Sequence, residues 1–286
     1  MDNRQKLGAV VVTGASTGIG KAIALRLDQL GFKVFATVRN QSDAKALSSQ
    51  ASGELDPIFM DVTDQSSIEA AKGHVSEAVG EAGLAGLVNN SGVAFTSPLE
   101  FVPINELRWL FDVNFFGLLA VTQAFLPMLR QKRGRIVNIS SISTLLMAPF
   151  HGPYSTSKLA LNGLSDAFRL ELKPHGVQVS VIICGSINTP IWEKGNQLSN
   201  RIINSFPPQA SELYAKQASN LRNYFLRLGK GGIQPEAAAR AVEHALTARR
   251  AKQTYFVGPD AYFYNITSKL FYGRLRDWII LQNIKP

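Results

Sequence analysis

The chain has 286 residues, of which 45% are hydrophobic and 18% are charged, a composition that excludes disordered, collagen-like and coiled-coil proteins. Its single cysteine, Cys184, excludes an intrachain disulfide, and because no Cys/His cluster has zinc spacing we expect no structural metal. The net charge of +9 comes from scattered basic residues rather than a basic stripe, so we do not expect nucleic-acid binding.

Short apolar, β-branched runs alternate with longer helical patterns along the chain. We predict strands at 9–13, 33–37, 57–59, 84–89, 135–140, 177–183 and 254–257. Helical periodicity with polar caps predicts helices at 18–30, 42–50, 66–79, 105–130, 154–173 and 235–248. Nearly continuous apolar strands separated by helices are typical of a parallel sheet covered on both faces. The pattern predicts a single doubly wound α/β domain over residues 1–286, with about seven strands in a central parallel sheet.

Two segments depart from this alternation. Residues 186–232, between the sixth and seventh strands, are too long for an ordinary connection and predict a partly helical lid. The second is the C-terminal extension, residues 261–286. Its stretch 262–284 combines Lys269, Arg274 and Arg276 with Phe263, Tyr264, Leu270, Phe271, Tyr272, Leu275, Trp278, Ile279 and Ile280. It could form a basic amphipathic helix on a membrane surface. Packing on the body of the domain or on another subunit is the favoured interpretation.

The location predicted from the sequence is cytoplasmic, or peripheral to a membrane if the extension meets lipid. The N-terminus carries mixed charges and leads into the first strand without a cleavable apolar segment. Asp112 and Asn114 interrupt the longest apolar stretch, so we expect no membrane-spanning segment.

A glycine-rich turn joins the first predicted strand to the first predicted helix. It reads Gly14-Ala15-Ser16-Thr17-Gly18-Ile19-Gly20. Glycines in such a turn allow close backbone approach, so that free N–H groups and the positive end of the helix meet a pyrophosphate. The spacing differs from the common G-x-G-x-x-G, and a ligand-free turn of small residues is the alternative.

The segment from Thr13 to Gly20 resembles the cofactor turn of the short-chain dehydrogenase/reductase family, and further motifs follow in that family's order. They are Asp61-Val62, Asn89-Asn90-Ser91-Gly92 with Ser91 in place of alanine, Asn114 in Asp112–Gly117, Ser140-Ser141, and Tyr154-Ser155-Thr156-Ser157-Lys158. The resemblance covers most of the chain. It implies a Rossmann-type fold and hydride transfer between a nicotinamide cofactor and an alcohol or carbonyl. Residues 36–40 and 189–192 resemble, more weakly, the hydroxysteroid and retinol dehydrogenase branch.

The resemblance also implies which residues contact the cofactor. They are Gly14, Ser16, Thr17, Gly18, Ile19, Gly20, Arg39, Asp61, Val62, Asn90, Ser91, Gly92, Tyr154, Lys158, Gly185, Ile187 and Thr189. In an NAD enzyme of this fold an acidic residue ends the second strand, whereas this chain has Val38 followed by Arg39. A guanidinium can form charge-assisted hydrogen bonds with a 2′-phosphate, so NADP(H) is favoured. An ordinary surface arginine is the alternative.

Four residues are the candidates for catalysis. Tyr154 and Lys158, four positions apart, share a helix face, and the ammonium is expected to lower the pKa of the phenol and make it an acid/base. Ser141, thirteen positions before the tyrosine (154 − 141), is expected to hydrogen-bond the substrate oxygen, with Ser143 as the alternative serine. The resemblance implies that Lys158 also holds the nicotinamide ribose and that Asn114 extends a proton path to solvent.

The segments flanking this site are apolar and predict a hydrophobic alcohol or ketone: a steroid, retinoid, long-chain or aromatic compound. The expected pocket residues are Phe95, Leu146, Met147, His151, Ile191 and Trp192. His151 is interpreted as a rim residue rather than a base. Cys184 replaces the family's proline after the sixth strand, which predicts a less rigid turn and a buried, unreactive thiol.

Two interpretations concern partners and the alternative function. The apolar residues of helices 105–130 and 154–173 exceed what one sheet face covers, and the family expectation is a homodimer or homotetramer. A non-catalytic, NADP(H)-sensing regulator is the alternative to an enzyme. The retained Ser141, Tyr154 and Lys158 argue against it, because a sensor has no need of a proton donor.

Overall fold

The computed structural model describes residues 7–270 and 273–284. Seven strands form one all-parallel sheet: β1 (Ala9–Val12), β2 (Lys33–Val38), β3 (Leu55–Phe59), β4 (Leu84–Asn89), β5 (Arg135–Ser141), β6 (Gln178–Cys184) and β7 (Thr254–Val257). Their order is β3-β2-β1-β4-β5-β6-β7. This confirms the doubly wound, Rossmann-type prediction. The order reverses between β1 and β4, and the carboxyl ends of strands at such a switch point open a ligand crevice.

Eleven helices accompany the sheet within the described residues. They are α1 (Gly18–Gln29), α2 (Gln41–Ser48), α3 (Gln65–Val79), α4 (Ile104–Phe111), α5 (Gly117–Lys132), α6 (Gly152–Glu171), α7 (Ile191–Ile203), α8 (Pro208–Lys230), α9 (Glu236–Thr247), α10 (Pro259–Leu270) and α11 (Arg274–Ile284). Short 3-10 turns complete the framework, and one of them, Ile142–Thr144, directly follows β5.

Both faces of the sheet are covered, as the continuous apolar strands predict. In β1, Val10 and Val12 face the core built with α1 and α9, whereas Val11 faces the core built with α3, α5 and α6. All three side chains are fully buried. Because side chains alternate across a strand, each central strand contributes residues to both cores. This packing on both faces fixes the positions of the carboxyl ends of the central strands.

The structure corrects three sequence-based boundaries. Predicted helix 105–130 is α4 and α5 joined by a π-helical turn, Asp112–Phe116. The predicted lid is more helical than expected, since α7 and α8 occupy most of it. The C-terminal extension is two helices rather than one, because Gly273 adopts a left-handed φ of 58° between them. Phe271 and Tyr272 of that extension lie outside the described residues.

The continuous helical run Ile104–Lys132 is long and apolar enough to cross a membrane by length and composition alone. Half of its most apolar stretch is buried inside the protein. Val121 and Phe125 in this run belong to the core under the sheet. Core packing accounts for its apolar character, and the absence of a membrane-spanning segment stays a prediction.

Candidate active site

A cavity of about 890 Å³ opens at the carboxyl ends of the strands and continues beneath α7, α8 and α10. Every residue expected to contact a cofactor lines it, as do Ser141 and five of the six expected substrate residues. Met147 does not line the cavity, which corrects that assignment. Its side chain is exposed on the surface.

The glycine-rich turn has the backbone that a dinucleotide requires. Gly14 and Gly18 have φ values of 63° and 57°, in the left-handed region that disfavours larger residues. A Cβ on Gly20 would overlap the carbonyl oxygen of Gly14 and the side-chain amide of Asn90. Thr17 lies just before α1, and its side chain makes no capping hydrogen bond within the described chain. The N–H groups of the first helical turn, which lines the cavity, are therefore not bonded by the Thr17 side chain and can bind a ligand.

Two threonines that are not among the expected cofactor contacts hold this turn against its neighbours. The Thr37 Oγ1 accepts a hydrogen bond from the Gly14 N–H at 3.1 Å. The Thr13 Oγ1 accepts from the N–H groups of Asn90 and Ser91, each at 2.9 Å. Asn90 also donates its side-chain amide to the carbonyl oxygens of Thr13 and Gly14 at 2.9 and 3.0 Å. The residues present therefore fit a nicotinamide dinucleotide with its pyrophosphate at the N-terminus of α1.

The far end of the cavity is bordered by Arg39 and Asp61. Arg39 is exposed and forms no ion pair with any described residue, so its guanidinium is available to an anion. The Asp61 carboxylate is engaged locally, because its Oδ1 accepts the backbone N–H and the hydroxyl of Thr63 at 2.9 and 2.7 Å.

The reacting side chains converge from β5 and α6. Ser141 ends β5 and Tyr154 lies at the start of α6, and the side chains of both residues line the cavity close enough for Ser141 to affect the pKa of the phenol. The Lys158 Nζ lies 5.9 Å from the centre of the Tyr154 ring and donates to the Ile139 carbonyl oxygen at 3.0 Å. The predicted trio is therefore brought together, with the Lys158 ammonium over the phenol ring.

Burial dominates the acidity of these groups. It raises the pKa of Tyr154 to about 12, and the nearby Ser141 side chain opposes this only in part. This direction is opposite to the expected lowering by Lys158. Burial also lowers the pKa of Lys158 to about 8. At pH 7 the phenol is a protonated donor and the lysine carries its charge.

Asn114 lies behind the cavity wall rather than in it. The π-helical turn buries its side chain completely. Its Oδ1 accepts the Val93 N–H at 2.8 Å, and its Nδ2 donates to the Val93 carbonyl oxygen and to the Ser157 hydroxyl at 2.9 and 3.0 Å. A Cβ on Gly92 would lie within 3.5 Å of both Asn114 Oδ1 and Lys158 Nζ. Asn114 thus braces the segment beside Lys158, while its role in a proton path stays a prediction.

The turn after β6 is held by two hydrogen bonds from its own N–H groups, and the lower rigidity expected from Cys184 stays a prediction. The Gly185 N–H donates to the Val257 carbonyl oxygen at 2.8 Å, and the Ser186 N–H donates to the Asp260 Oδ2 at 2.6 Å. Cys184 is buried, and burial raises the pKa of its thiol to about 12, so the prediction of an unreactive thiol agrees with its surroundings. Asp260, 74 positions beyond Ser186, carried no signal in the sequence.

Aromatic rings connect the catalytic tyrosine with the lid. The His151 ring lies 5.0 Å from the Tyr154 ring and 4.7 Å from the Phe225 ring of α8, which in turn lies 6.2 Å from Trp192 of α7. The Trp192 Nε1 donates to the Ile187 carbonyl oxygen at 2.7 Å. Burial lowers the pKa of His151 to about 4, so the imidazole is neutral at pH 7 and serves as a wall.

This arrangement can protonate a carbonyl oxygen. Ser141 and Tyr154 present two hydroxyl groups at one point, where they can hydrogen-bond the oxygen and stabilise its developing charge. Tyr154 then donates its proton in reduction and takes a proton back in alcohol oxidation. A bound nicotinamide would supply or accept the hydride at the carbon. Lys158 favours negative charge on the phenol during transfer.

Comparison with known proteins assigns the family. Residues 8–199 match the family model described as short chain dehydrogenase. The chain is 34% identical over 280 residues to the NADPH-dependent 3-dehydrocapnine reductase of Ornithobacterium rhinotracheale, and the alignment covers 96% of both proteins. It is 35% identical over 271 residues to retinol dehydrogenase 5 of Homo sapiens, covering 91% of this chain and 84% of the relative.

A hydroxysteroid enzyme and a solved structure agree with this assignment. Estradiol 17-beta-dehydrogenase 2 of Mus musculus is 33% identical over 290 residues, covering 97% of this chain and 75% of the relative. A short-chain dehydrogenase structure from Streptomyces avermitilis superposes with a TM-score of 0.76 at 28% identity, covering 93% of each chain. The fold and site are those of a dinucleotide-binding oxidoreductase. The chain belongs to the short-chain dehydrogenase family, with hydroxysteroid and retinol dehydrogenases among its relatives.

Proposed function

We propose that the protein is an NADP(H)-dependent oxidoreductase that transfers hydride between the nicotinamide and a hydrophobic alcohol or ketone, with Tyr154 as the acid/base. The observation that carries this proposal is the convergence of Ser141 and Tyr154 at the end of β5, in a cavity that also contains the glycine-rich turn. A non-catalytic sensor is the second candidate, and turnover of any carbonyl compound by the purified protein excludes it.

The preference for NADP(H) rests on the end of β2. Val38 occupies the position where an acidic residue would repel a 2′-phosphate, and the exposed Arg39 at the cavity edge can bind one. One relative is named as NADPH-dependent, which agrees with this proposal.

Arg39→Asp tests the cofactor preference. Loss of one or two charge-assisted hydrogen bonds is expected to weaken NADPH binding by about 10- to 100-fold and to improve NADH binding. Dissociation constants are measured by the fluorescence of the reduced cofactors. Arg249→Asp, an exposed arginine that does not line the cavity, controls for the change in net charge. An unchanged NADPH-to-NADH ratio in Arg39→Asp would refute the assignment.

The substrate proposal rests on the apolar wall around Tyr154. Phe95, Leu146, Phe150, Ile191 and Phe225 line the cavity on the substrate side. Such a wall binds a hydrophobic body by burial and leaves polarity to the reacting oxygen. Steroid, retinoid, long-chain and aromatic carbonyls are the classes to screen with NADPH by absorbance. Turnover of small charged carbonyls alone would contradict this proposal.

The outer faces of the protein support two further proposals. Phe116 and Leu159 of the α5 and α6 region are exposed, which supports a homodimer or homotetramer through these helices.

In the C-terminal extension Ile280 is buried at the cavity, so α11 packs on the body, while Phe263 and Leu270 of α10 are exposed. We propose that the protein is cytoplasmic and that this outer face of α10 contacts a membrane surface. The double substitution Phe263→Asp and Leu270→Asp, which places charges on this face, tests it by liposome co-sedimentation, and undiminished lipid binding would contradict it.

A further inference from the structure

Four polar side chains interrupt the apolar wall where the lid and the C-terminal extension meet the site. Ser143, Tyr224, Asp260 and Tyr264 all line the cavity. They come from the turn after β5, from α8 and from α10, and α10 packs against the turn Ile142–Thr144. None of these four belongs to the reacting trio, and the proton transfer described above does not use them.

Ser143 is the residue that points to a ligand. Only 4% of its surface is exposed, and its Oγ has no hydrogen-bond partner among the described residues. Its N–H is satisfied, because it donates to the Ser141 Oγ at 3.2 Å. A buried hydroxyl without a partner costs free energy, and a polar ligand in the cavity would remove that cost.

Asp260 brings a negative charge to the same region. Its Oδ2 accepts the Ser186 N–H at 2.6 Å and its Oδ1 accepts the Ala261 N–H at 2.9 Å. A carboxylate has about four lone-pair positions, so two remain for a further donor. No lysine or arginine in the described part of the chain forms an ion pair with Asp260. The group that completes this site therefore donates hydrogen bonds.

Tyr224 and Tyr264 add hydroxyl groups from α8 and α10. The two phenols lie close enough for each to affect the pKa of the other, and each hydroxyl has one proton to donate and lone pairs that accept. Burial raises the pKa of both phenols, to about 12 for Tyr264, and the Asp260 charge adds to this effect. Both are neutral at pH 7, so the pair offers a donor and acceptor positions.

We propose that Ser143, Tyr224, Asp260 and Tyr264 form a second polar subsite that binds a hydrogen-bond-donating group of the substrate, a hydroxyl or an ammonium group. This inference rests on the proposed function, because the reacting carbonyl is held by Ser141 and Tyr154. The substrate is accordingly a hydrophobic compound with two polar groups, one reduced or oxidised and the other only bound. A carboxylate at the second position is disfavoured by Asp260.

The test uses a positional series of hydroxy- and amino-substituted aryl ketones, together with the unsubstituted parent ketones. The wild-type protein is expected to show at least a tenfold higher kcat/KM for one substituted isomer than for its parent, mainly through KM, because a remote hydrogen bond contributes binding rather than chemistry. Comparison of the hydroxy-substituted with the amino-substituted ketones identifies which hydrogen-bond donor the subsite binds. Equal kcat/KM values for all isomers and parents would overturn the proposal.

Tyr224→Phe and Tyr264→Phe remove one hydroxyl each and keep the rings. Both are expected to abolish the preference for the substituted isomer while leaving reduction of the parent ketone within about twofold. Tyr262→Phe is the matched control, because Tyr262 is an exposed tyrosine of α10, the helix that carries Tyr264. Equal losses on the substituted and parent ketones would show a structural role for the pair and overturn the subsite.

Calorimetric binding of the same ketones to the protein saturated with NADP⁺ separates this inference from the proposed function, since no reduction can follow. Tighter binding of a substituted isomer without turnover in the NADPH assay would refute the reductase and support the subsite. Turnover without any such preference in binding would support the reductase and refute the subsite.

Discussion

Alanine at Gly185 is expected to dislodge the Asp260 carboxylate. A Cβ at this position would overlap the Asp260 Oδ1 and lie 2.5 Å from its Cγ and 2.7 Å from its Oδ2. These are the three atoms nearest to that Cβ, and all belong to one carboxyl group. The carboxylate cannot move without losing its bonds to the N–H groups of Ser186 and Ala261.

The magnitude follows from those two hydrogen bonds. A hydrogen bond to a charged group contributes about 1.5–3 kcal/mol, and the partly exposed position of Asp260 favours the lower end. Gly185→Ala is therefore expected to lower the free energy of unfolding by about 2–4 kcal/mol. Asp260→Ala loses the same two bonds and is expected to cost a similar amount.

A double-mutant cycle provides the assay. Once Asp260→Ala has removed the carboxyl group, Gly185→Ala meets none of those three atoms and is expected to cost less than about 1 kcal/mol more. Urea unfolding of the wild type, both single variants and the double variant gives the coupling, expected to be about 2 kcal/mol. Additive costs for the two substitutions would refute the reasoning, because Gly185 would then be required for a reason other than Asp260.

Three further predictions concern the reacting side chains and their titration. Tyr154→Phe is expected to lower kcat by at least about 100-fold while NADPH still binds, because a general acid contributes about 10²–10⁴ in rate; steady-state kinetics and cofactor fluorescence check this, and undiminished turnover would contradict the acid/base role. The kcat/KM for ketone reduction is expected to fall as the pH rises through about 8, where Lys158 loses its charge while Tyr154 keeps its proton; a profile that is flat from pH 6 to 10 would contradict the role of the ammonium. His151→Phe is expected to reduce the loss of stability between pH 6.5 and 4. In that window His151 of the unfolded chain binds a proton, whereas His151 of the native protein, with a pKa of about 4, does not, so acidification costs the wild type roughly 1–3 kcal/mol. Urea unfolding at both pH values measures the loss, and an equal loss of stability in the wild type and in His151→Phe would contradict this.

Local patterns were sufficient to predict most of the fold. Strand β4 and strand β7 begin and end where the apolar runs indicate, and the other strands differ by one or two residues. The predicted turn at Gly14–Gly20 lies between β1 and α1 as expected. These features depend on side chains a few positions apart, and periodicity within one segment records such neighbours directly.

The acidity of the catalytic groups could not be obtained in this way. The spacing of Tyr154 and Lys158 correctly placed both on one helix face, but it predicted that the lysine lowers the pKa of the phenol. Burial has the larger effect and raises it. Burial depends on how β5, α6 and the lid enclose the two side chains, and that enclosure is not encoded in a four-residue interval.

The sequence by itself determined the order of strands and helices, the glycine-rich turn and the identity of Ser141, Tyr154 and Lys158, because each is a short-range pattern along the chain. Only the tertiary structure decided that Met147 lies outside the cavity, that Asn114 lies behind its wall and that Asp260 holds the turn after β6. Those outcomes join residues far apart in sequence. They are set by the packing of whole elements against one another, which a linear pattern does not contain.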